Sequence, residues 1–317
     1  MIISASRRTD IPAFYSDWFV KRLNAGYVYV KNPMNPAQIS KIPLSTELVD
    51  CIVFWTKNAA PMMDKLDLID SMGYPYYFQW TLTPYGKNVE RNLPDKAKLI
   101  DSFRALSDKI GSHRTVWRYD PVIVNHQFPT EYHVQNFAKL CNSLQGYTHR
   151  CIFSYVDRYA KISKRAKGVV DSEADTQTMF KIAKSFSEIA RLNNISLESC
   201  AEQIELDKFG IGHASCINRQ IVENIVGHSI DAKKAQGQRE FCGCIESVDI
   251  GAYDCCAHGC VYCYATSSEK AVAENMRQHD AESPLLIGKP CAENKITERG
   301  SKSLKKIQTS LVFAPKK

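Results

Sequence analysis

The chain has 317 residues, a formal net charge of +7, 44% hydrophobic and 24% charged residues, a globular balance that can bury a large core without covalent staples. No apolar run reaches the roughly 18 residues of a membrane span, and the opening MIISASRRTD is too short and wrongly ordered for a secretory signal. A cytoplasmic protein with no membrane partner is expected, and its mildly basic balance fits an anionic substrate, nucleic acid or simply a solvated surface.

In chain order, β-branched and aromatic runs predict strands at Ile2–Ser6, Tyr27–Val30, Cys51–Thr56, Tyr76–Thr83, Thr115–Tyr119, Cys151–Val156 and Ile195–Ser199. Helical periodicity fills the gaps. Pro61–Met72 stops at Gly73, and Pro94–Ile110 carries Leu99, Phe103, Leu106 and Ile110 on one side. Thr130 is placed to cap a helix with Val134, Phe137, Cys141 and Leu144, and Glu173–Leu192 repeats apolar residues at intervals of three and four. Such alternation predicts an α/β fold with a parallel sheet, open or closed wholly or partly into a barrel, with ligands gathered beyond the carboxyl ends of the strands. Those ends read SRRTD, WTKN, TLTPY, WRYDP, SYVD and ESCAE. After residue 200 the pattern changes: a helix near Ile217–Val226, a polar linker, a cysteine-rich stretch to residue 268, and an extension from 269 to 317 with little periodicity. The basic loop at 157–168 is placed to cover or feed the rim, or is plain surface.

In a reducing compartment 12 cysteines do not read as a disulfide framework. Cys51, Cys141, Cys151, Cys200 and Cys216 are dispersed, six crowd between Cys242 and Cys263, and Cys291 lies beyond. Cys256-x3-Cys260-x2-Cys263 puts three thiols on one loop. Structural zinc wants four closed ligands; three thiolates can hold three irons of a [4Fe–4S] cube and leave the fourth iron open. A zinc knuckle completed by a distant cysteine, or an electron-transfer cluster, are the competing readings. The spacing selects Cys256 over its neighbour Cys255.

This loop, with Tyr262 before its third cysteine, resembles that of radical S-adenosylmethionine (SAM) enzymes. SRRTDIPAFY, FWTKN, TLTPYG, WRYDP and DIGAYDCCAHGCVYCYA together resemble, over nearly the whole chain, a bacterial domain-of-unknown-function family grouped with spore photoproduct lyase-like radical enzymes. The resemblance implies a partial (β/α)6 TIM-like barrel with a C-terminal cysteine-rich iron–sulfur segment. It also implies a [4Fe–4S] cluster on Cys256, Cys260 and Cys263, bound SAM, cleavage to a 5′-deoxyadenosyl radical, and a reductant such as flavodoxin or ferredoxin. It leaves the substrate open, with nucleic acid or a nucleotide suggested by the photoproduct lyases. One departure stands out: the loop follows all six βα units, where most such enzymes carry it after the first strand.

Cys242-Gly243-Cys244 lacks two partners, for which Cys200 and Cys216 are the candidates; four thiolates would close a second site for a [4Fe–4S] cluster or zinc. Arg7, Arg8 and Asp10 are candidates to meet anionic substrate groups, arginine being suited to bidentate work. Arg118 and Asp120, flanking Tyr119, join them as candidate catalytic residues, with Asp157 and Glu198 as further rim carboxylates. Thr56, Lys57 and Asn58 are candidate contacts to the methionine or ribose of the cofactor; Gln79 and Thr81 share a strand face. The resemblance puts Tyr262 near adenine. The alternatives to an enzyme are a zinc-stabilised nucleic-acid-binding protein and an iron–sulfur electron carrier.

Overall fold

A computed structural model describes residues 1–158 and 164–306. Its elements are β1 (Ile2–Ala5), α1 (Ile11–Phe14), α2 (Ser16–Ala25), β2 (Tyr27–Asn32), β3 (Asn35–Pro43), β4 (Cys51–Thr56), α3 (Leu66–Ser71) and β5 (Tyr76–Thr81). There follow α4 (Lys96–Ile110), β6 (Thr115–Val122), α5 (Thr130–Leu144), β7 (Arg150–Tyr155), α6 (Thr176–Leu192), β8 (Ser196–Ser199), β9 (Gly212–His213), α7 (Arg219–Val226), β10 (Val248–Asp249), α8 (Glu269–Arg277) and β11 (Lys295–Glu298).

Eight strands form one sheet in the order β10-β1-β4-β5-β6-β7-β8-β9, every pair parallel. Neighbours follow one another in the chain from β4 to β9, as crossover helices demand. This is an α/β fold with an eight-stranded parallel sheet, an arrangement consistent with a partial barrel. The β2–β3 hairpin is an insertion that pairs with β11 in a separate sheet, so the far C-terminal segment is tied to residues near the start.

Both faces of the large sheet are buried, and alternation decides which residue goes where. Ile52, Phe54, Phe78, Trp80, Trp117 and Phe153 face the helices, where Phe103, Phe137 and Phe186 meet them. Ile2, Cys51, Val53, Tyr77, Val116 and Ile152 face the other way and are covered by Ile217, Val222, Ile230 and Ile245. The segment after β8 therefore covers the face of the sheet opposite the helices, and brings Cys216, Cys242 and Cys244 with it.

The sequence expectations differ at several places. The first half of Pro61–Met72 is a 3-10 turn over Ala60–Lys65 and only Leu66–Ser71 is α-helical. Thr130 is the first residue of α5 rather than its cap: Pro129 takes the cap position, with no side-chain bond. The extension beyond 269 contains α8, capped by Ser268, whose Oγ accepts from Ala271 N–H; only Val272 is buried, which explains its weak periodicity. Among the described residues no helix is long and apolar enough to cross a membrane.

Candidate functional site

The cysteine loop is docked onto the carboxyl-end rim by contacts from three directions. At its entry, β10 pairs with β1, and Asp249 accepts hydrogen bonds from Ser4 Oγ at 3.0 Å, Ser6 Oγ at 2.6 Å, Arg7 N at 2.9 Å and Gly251 N at 3.0 Å. Gly251 has to be glycine: a Cβ there would lie 2.0 Å from Ser6 Oγ. Next, the loop runs along the segment after β5. Val261 N donates to Val89 O at 3.0 Å, Asn92 N to His258 O at 3.0 Å, and Asn92 Nδ2 to Ala257 O at 2.8 Å. Gly259, at φ +67°, lets the two backbones approach. Finally, Arg165 grips the loop's far side, its guanidinium donating to Val261 O at 3.1 Å, Thr266 O at 2.7 Å and Cys263 O. The basic 157–168 loop thus reaches the site through Arg165, while its residues 159–163 lie outside the described ones.

Inside this frame Cys256, Cys260 and Cys263 line one cavity. Cys255 does not: its thiol donates to Ala252 O at 3.0 Å and its carbonyl accepts from the buried Tyr15 hydroxyl at 2.5 Å. Burial raises the thiol pKa of Cys256, and Asp10 and the other two cysteines add to it. Burial likewise pushes Cys260 up to about 12, against the pull of Lys57. Such thiols become thiolates only beside a strong cation; a coordinated metal deprotonates them outright.

Beneath Cys260 lies a carboxylate that the sequence reading does not single out. Glu90, 1% exposed, accepts from Lys57 Nζ at 2.7 Å, Thr83 Oγ1 at 2.7 Å, Tyr262 Oη at 2.5 Å and Lys96 Nζ at 2.5 Å. Burial alone would raise its pKa, but the two ammonium groups overcome that and hold it at about 2. Four elements of the rim meet on this one group, and it sits five residues after the TLTPY motif with only its position to mark it. Tyr262 is turned onto Glu90, with Lys57 Nζ 5.5 Å from its ring centroid.

The second cysteine set also converges. Cys200 Sγ and Cys216 Sγ are 3.4 Å apart; Cys216 and Cys242 each bond the Cys244 side chain. The Cys244 bond draws the Cys242 thiol down to about 6. Cys244 Sγ accepts from Ile217 N at 3.3 Å. Gly243 permits the turn, since a Cβ would meet Ala214 O at 3.0 Å. Two arginines face this set: Arg118 Nη1 lies 2.7 Å from Cys216 Sγ, and Arg7 is drawn by Cys244, Cys216 and Cys242. The guanidinium carbon of Arg7 stands 5.0 Å and that of Arg118 5.4 Å from the Trp55 ring centroid. Arg7 Nη2 is buried without a hydrogen-bond partner.

Both cysteine sets line the same cavity of ≈ 660 Å³, together with Arg7, Arg8, Asp10, Thr56, Lys57, Thr81, Arg118, Asp120 and Tyr262. Several of these side chains are already committed. Asp10 caps α1 through Ala13 N at 3.0 Å and accepts from Lys57 N at 2.7 Å and His258 Nε2 at 2.7 Å. Asp120 is held by Arg118 and Ser154, which keep its pKa below the carboxylate norm despite burial. Thr56 Oγ1 accepts from Asn58 N at 2.9 Å, and Asn58 Oδ1 from Ala60 N at 3.2 Å. Asn58 therefore closes a turn, and it does not line the cavity. Gln79 lies under the second cysteine set, its Nε2 donating to Cys216 O at 2.7 Å, and also stays off the cavity wall. Asp157 lines the cavity but is paired with Arg239, and Glu198 pairs with Arg150 away from it. Cys51, Cys141 and Cys151 are buried with raised pKa, as core residues are.

A family described as a domain of unknown function, DUF1848, matches residues 2–265. The chain belongs to this family. The matched span runs from β1 to just past Cys263, so the rim motifs and the cysteine loop are parts of one family domain. No curated protein matches the chain. Among solved structures, the crystal structure of a candidate α-L-fucosidase from Bacteroides thetaiotaomicron matches at 10% identity and a TM-score of 0.28, covering 72% of this chain and 81% of the other. A likeness of that size carries no argument.

Proposed function

We propose that this DUF1848 protein is a cytoplasmic radical SAM enzyme on a partial (β/α)6 barrel whose cysteine loop closes the rim from the C-terminal side. The observation that carries the reading is three thiols of one CxxxCxxC loop facing a cavity at the strand ends, with the adjacent Cys255 turned into the core. The donor set fits a [4Fe–4S] cluster held by Cys256, Cys260 and Cys263 with one iron left for the amino and carboxylate groups of SAM. When bound and reduced, by a donor such as flavodoxin or ferredoxin, that pair supplies a 5′-deoxyadenosyl radical for hydrogen abstraction from the substrate.

The chain's own part is to hold and shield. Asn92 and Arg165 hold the loop backbone and Asp10 holds the His258 side chain, so the three sulfurs keep their positions as charge changes. Lys57, kept charged by Glu90 against its burial, brings a positive charge near Cys260 and favours its thiolate. Thr81 and Tyr262 wall the side nearest β5, limiting water where a radical would be quenched. Cys200, Cys216, Cys242 and Cys244 fit a second, closed metal site, for which the guanidinium groups of Arg7 and Arg118 offset thiolate charge.

The test is anaerobic purification with iron, sulfide and zinc analysis, followed by dithionite and SAM. Release of 5′-deoxyadenosine is expected from the native chain and from Cys255→Ser, and none from Cys260→Ala. Colourless protein carrying zinc on the CxxxCxxC loop would replace the enzyme reading with a zinc-stabilised binding protein. A brown protein that leaves SAM intact would be an electron carrier.

A further inference from the structure

Beside the cavity shared by the two cysteine sets lies a second one of ≈ 570 Å³, and the two meet at Arg7, Arg8 and Asp249. Their electrostatics differ. In the inner cavity the cations are matched: Lys57 by Glu90, Arg118 by Asp120 and Arg239 by Asp157. The outer wall adds Lys31 from the end of β2, Lys233 and Lys234 from the linker after α7, and Arg299 from beyond β11. These four form no ion pair with any described residue. The two carboxylates present are already used: Glu246 Oε1 accepts from Lys233 N at 2.8 Å, and Asp249 accepts from Ser4, Ser6, Arg7 and Gly251.

We infer that this outer cavity binds the phosphate of a substrate whose reacting carbon enters the inner one. Lys31, the Lys233–Lys234 pair and Arg299 come from three separated segments and meet there without a carboxylate partner, a local excess of positive charge that attracts an anion. A single carboxylate would match one of them; a phosphate monoester or a run of phosphodiesters matches several, and Arg pairs with phosphate through two parallel N–H bonds. Arg7 stands at the junction, its buried Nη2 without a partner and its guanidinium against Trp55. A phosphate-bearing molecule that spans the junction would satisfy that donor and stay anchored while its far end lies beside Cys256, Cys260 and Cys263. The proposal deepens the enzyme reading and rests on it for the reaction, though not for the binding.

Binding is measured on the anaerobically purified full chain, without SAM or dithionite, using a fluorescein-labelled 12-nucleotide single strand, a nucleoside 5′-monophosphate and inorganic phosphate as probes. Saturable binding of the strand or the monophosphate is expected, falling about tenfold between 50 and 200 mM salt if two phosphates are engaged. The pair Lys233→Glu and Lys234→Glu should weaken it at least tenfold. The pair Lys181→Glu and Lys184→Glu, an equal charge change on the exposed side of α6, should leave it unaltered. Strand binding that the monophosphate cannot displace identifies a polynucleotide; equal affinity for the two identifies a nucleotide. No binding of either probe, or equal loss in both variant pairs, overturns the proposal. Cofactor cleavage without substrate tests the enzyme reading separately, so the two can fail independently.

Discussion

Asp10 Oδ2 lies 2.7 Å from His258 Nε2, a buried contact between residues 248 apart that joins the rim after the first strand to the cysteine loop. The same carboxylate caps α1 and holds Lys57 N, so one side chain fixes three segments around the cavity. It is a positioning residue. Asp10→Ala should cost about 3 kcal/mol, the sum of a lost cap and buried bonds to a charged acceptor. Asp10→Asn keeps one acceptor and should cost about 1 kcal/mol. Denaturant unfolding gives both figures, and iron per chain should fall with Asp10→Ala more than with Asp10→Asn. Equal stability of the two variants would count against the anchoring role.

Glu90 poses a sharper question, because its charge sits between two cations. Glu90→Gln keeps the shape and leaves Lys57 and Lys96 buried around a neutral amide. Breaking a buried pair from one side costs about 3–5 kcal/mol. The loss should be non-additive: adding Lys57→Met and Lys96→Met to Glu90→Gln should recover part of it, since the orphaned charges leave with them. A double-mutant cycle in urea reads the coupling. A triple variant no more stable than Glu90→Gln would show that packing, not charge, dominates there.

On the proposed reading, metal content should separate the two cysteine sets. Replacing Cys256, Cys260 and Cys263 together by Ala should remove one metal centre and leave the other, because Cys200, Cys216, Cys242 and Cys244 are held by contacts of their own. Iron should fall by half if both centres are cubes; if the second is zinc, iron should vanish while zinc stays. Cys216→Ala should do the reverse and also destabilise the chain, since the segment carrying Cys216 covers the face of the sheet opposite the helices. Loss of all metal from the triple variant would mean that the sets do not act separately.

Much of this architecture was legible in the sequence because parallel strands buried on both faces declare themselves as dense apolar runs. The seven strands expected between Ile2 and Ser199 are all present, and their ends fall within two residues of expectation except in β6, which runs three residues past Tyr119 to Val122. The convergence of Cys200 and Cys216 with the C-G-C pair was legible too, since strand ends in such a fold share one rim. What escaped was non-local. Arg165 and His258 lie in stretches the sequence marks out, but their partners are about a hundred or more residues away, and Glu90 is tied to Lys57 and Tyr262 with nothing nearby to mark it. Asn58 and Gln79 mislead for the same reason: at strand ends polar side chains serve turns and backbone carbonyls as readily as ligands. The hairpin strand Asn35–Pro43 is exposed over its first four residues and contains prolines at 36 and 43, so it lacks the pattern that made the others visible.

A pH dependence follows from His133, buried on α5 with Nε2 donating to Ile123 O at 2.8 Å and Nδ1 accepting from Tyr119 Oη at 3.0 Å. With that carbonyl and hydroxyl satisfied by the neutral ring, burial lowers its pKa to about 4. In the unfolded chain the imidazole titrates at about 6.5. Between those values the unfolded state holds the extra proton, so the neutral ring's contribution is complete above pH 6.5 and declines as pH falls towards 4. By pH 4.5 the loss should reach about 2–3 kcal/mol. Glu90 works at lower pH, its contribution fading only as pH drops below the usual carboxylate value towards about 2. Comparing urea unfolding of the native chain and His133→Gln from pH 7.5 to 4.5 isolates the imidazole, because every other titrating group cancels in the difference. The two curves should converge as the medium becomes acidic. Parallel curves across that range would mean that the folded ring accepts its proton as easily as the unfolded one.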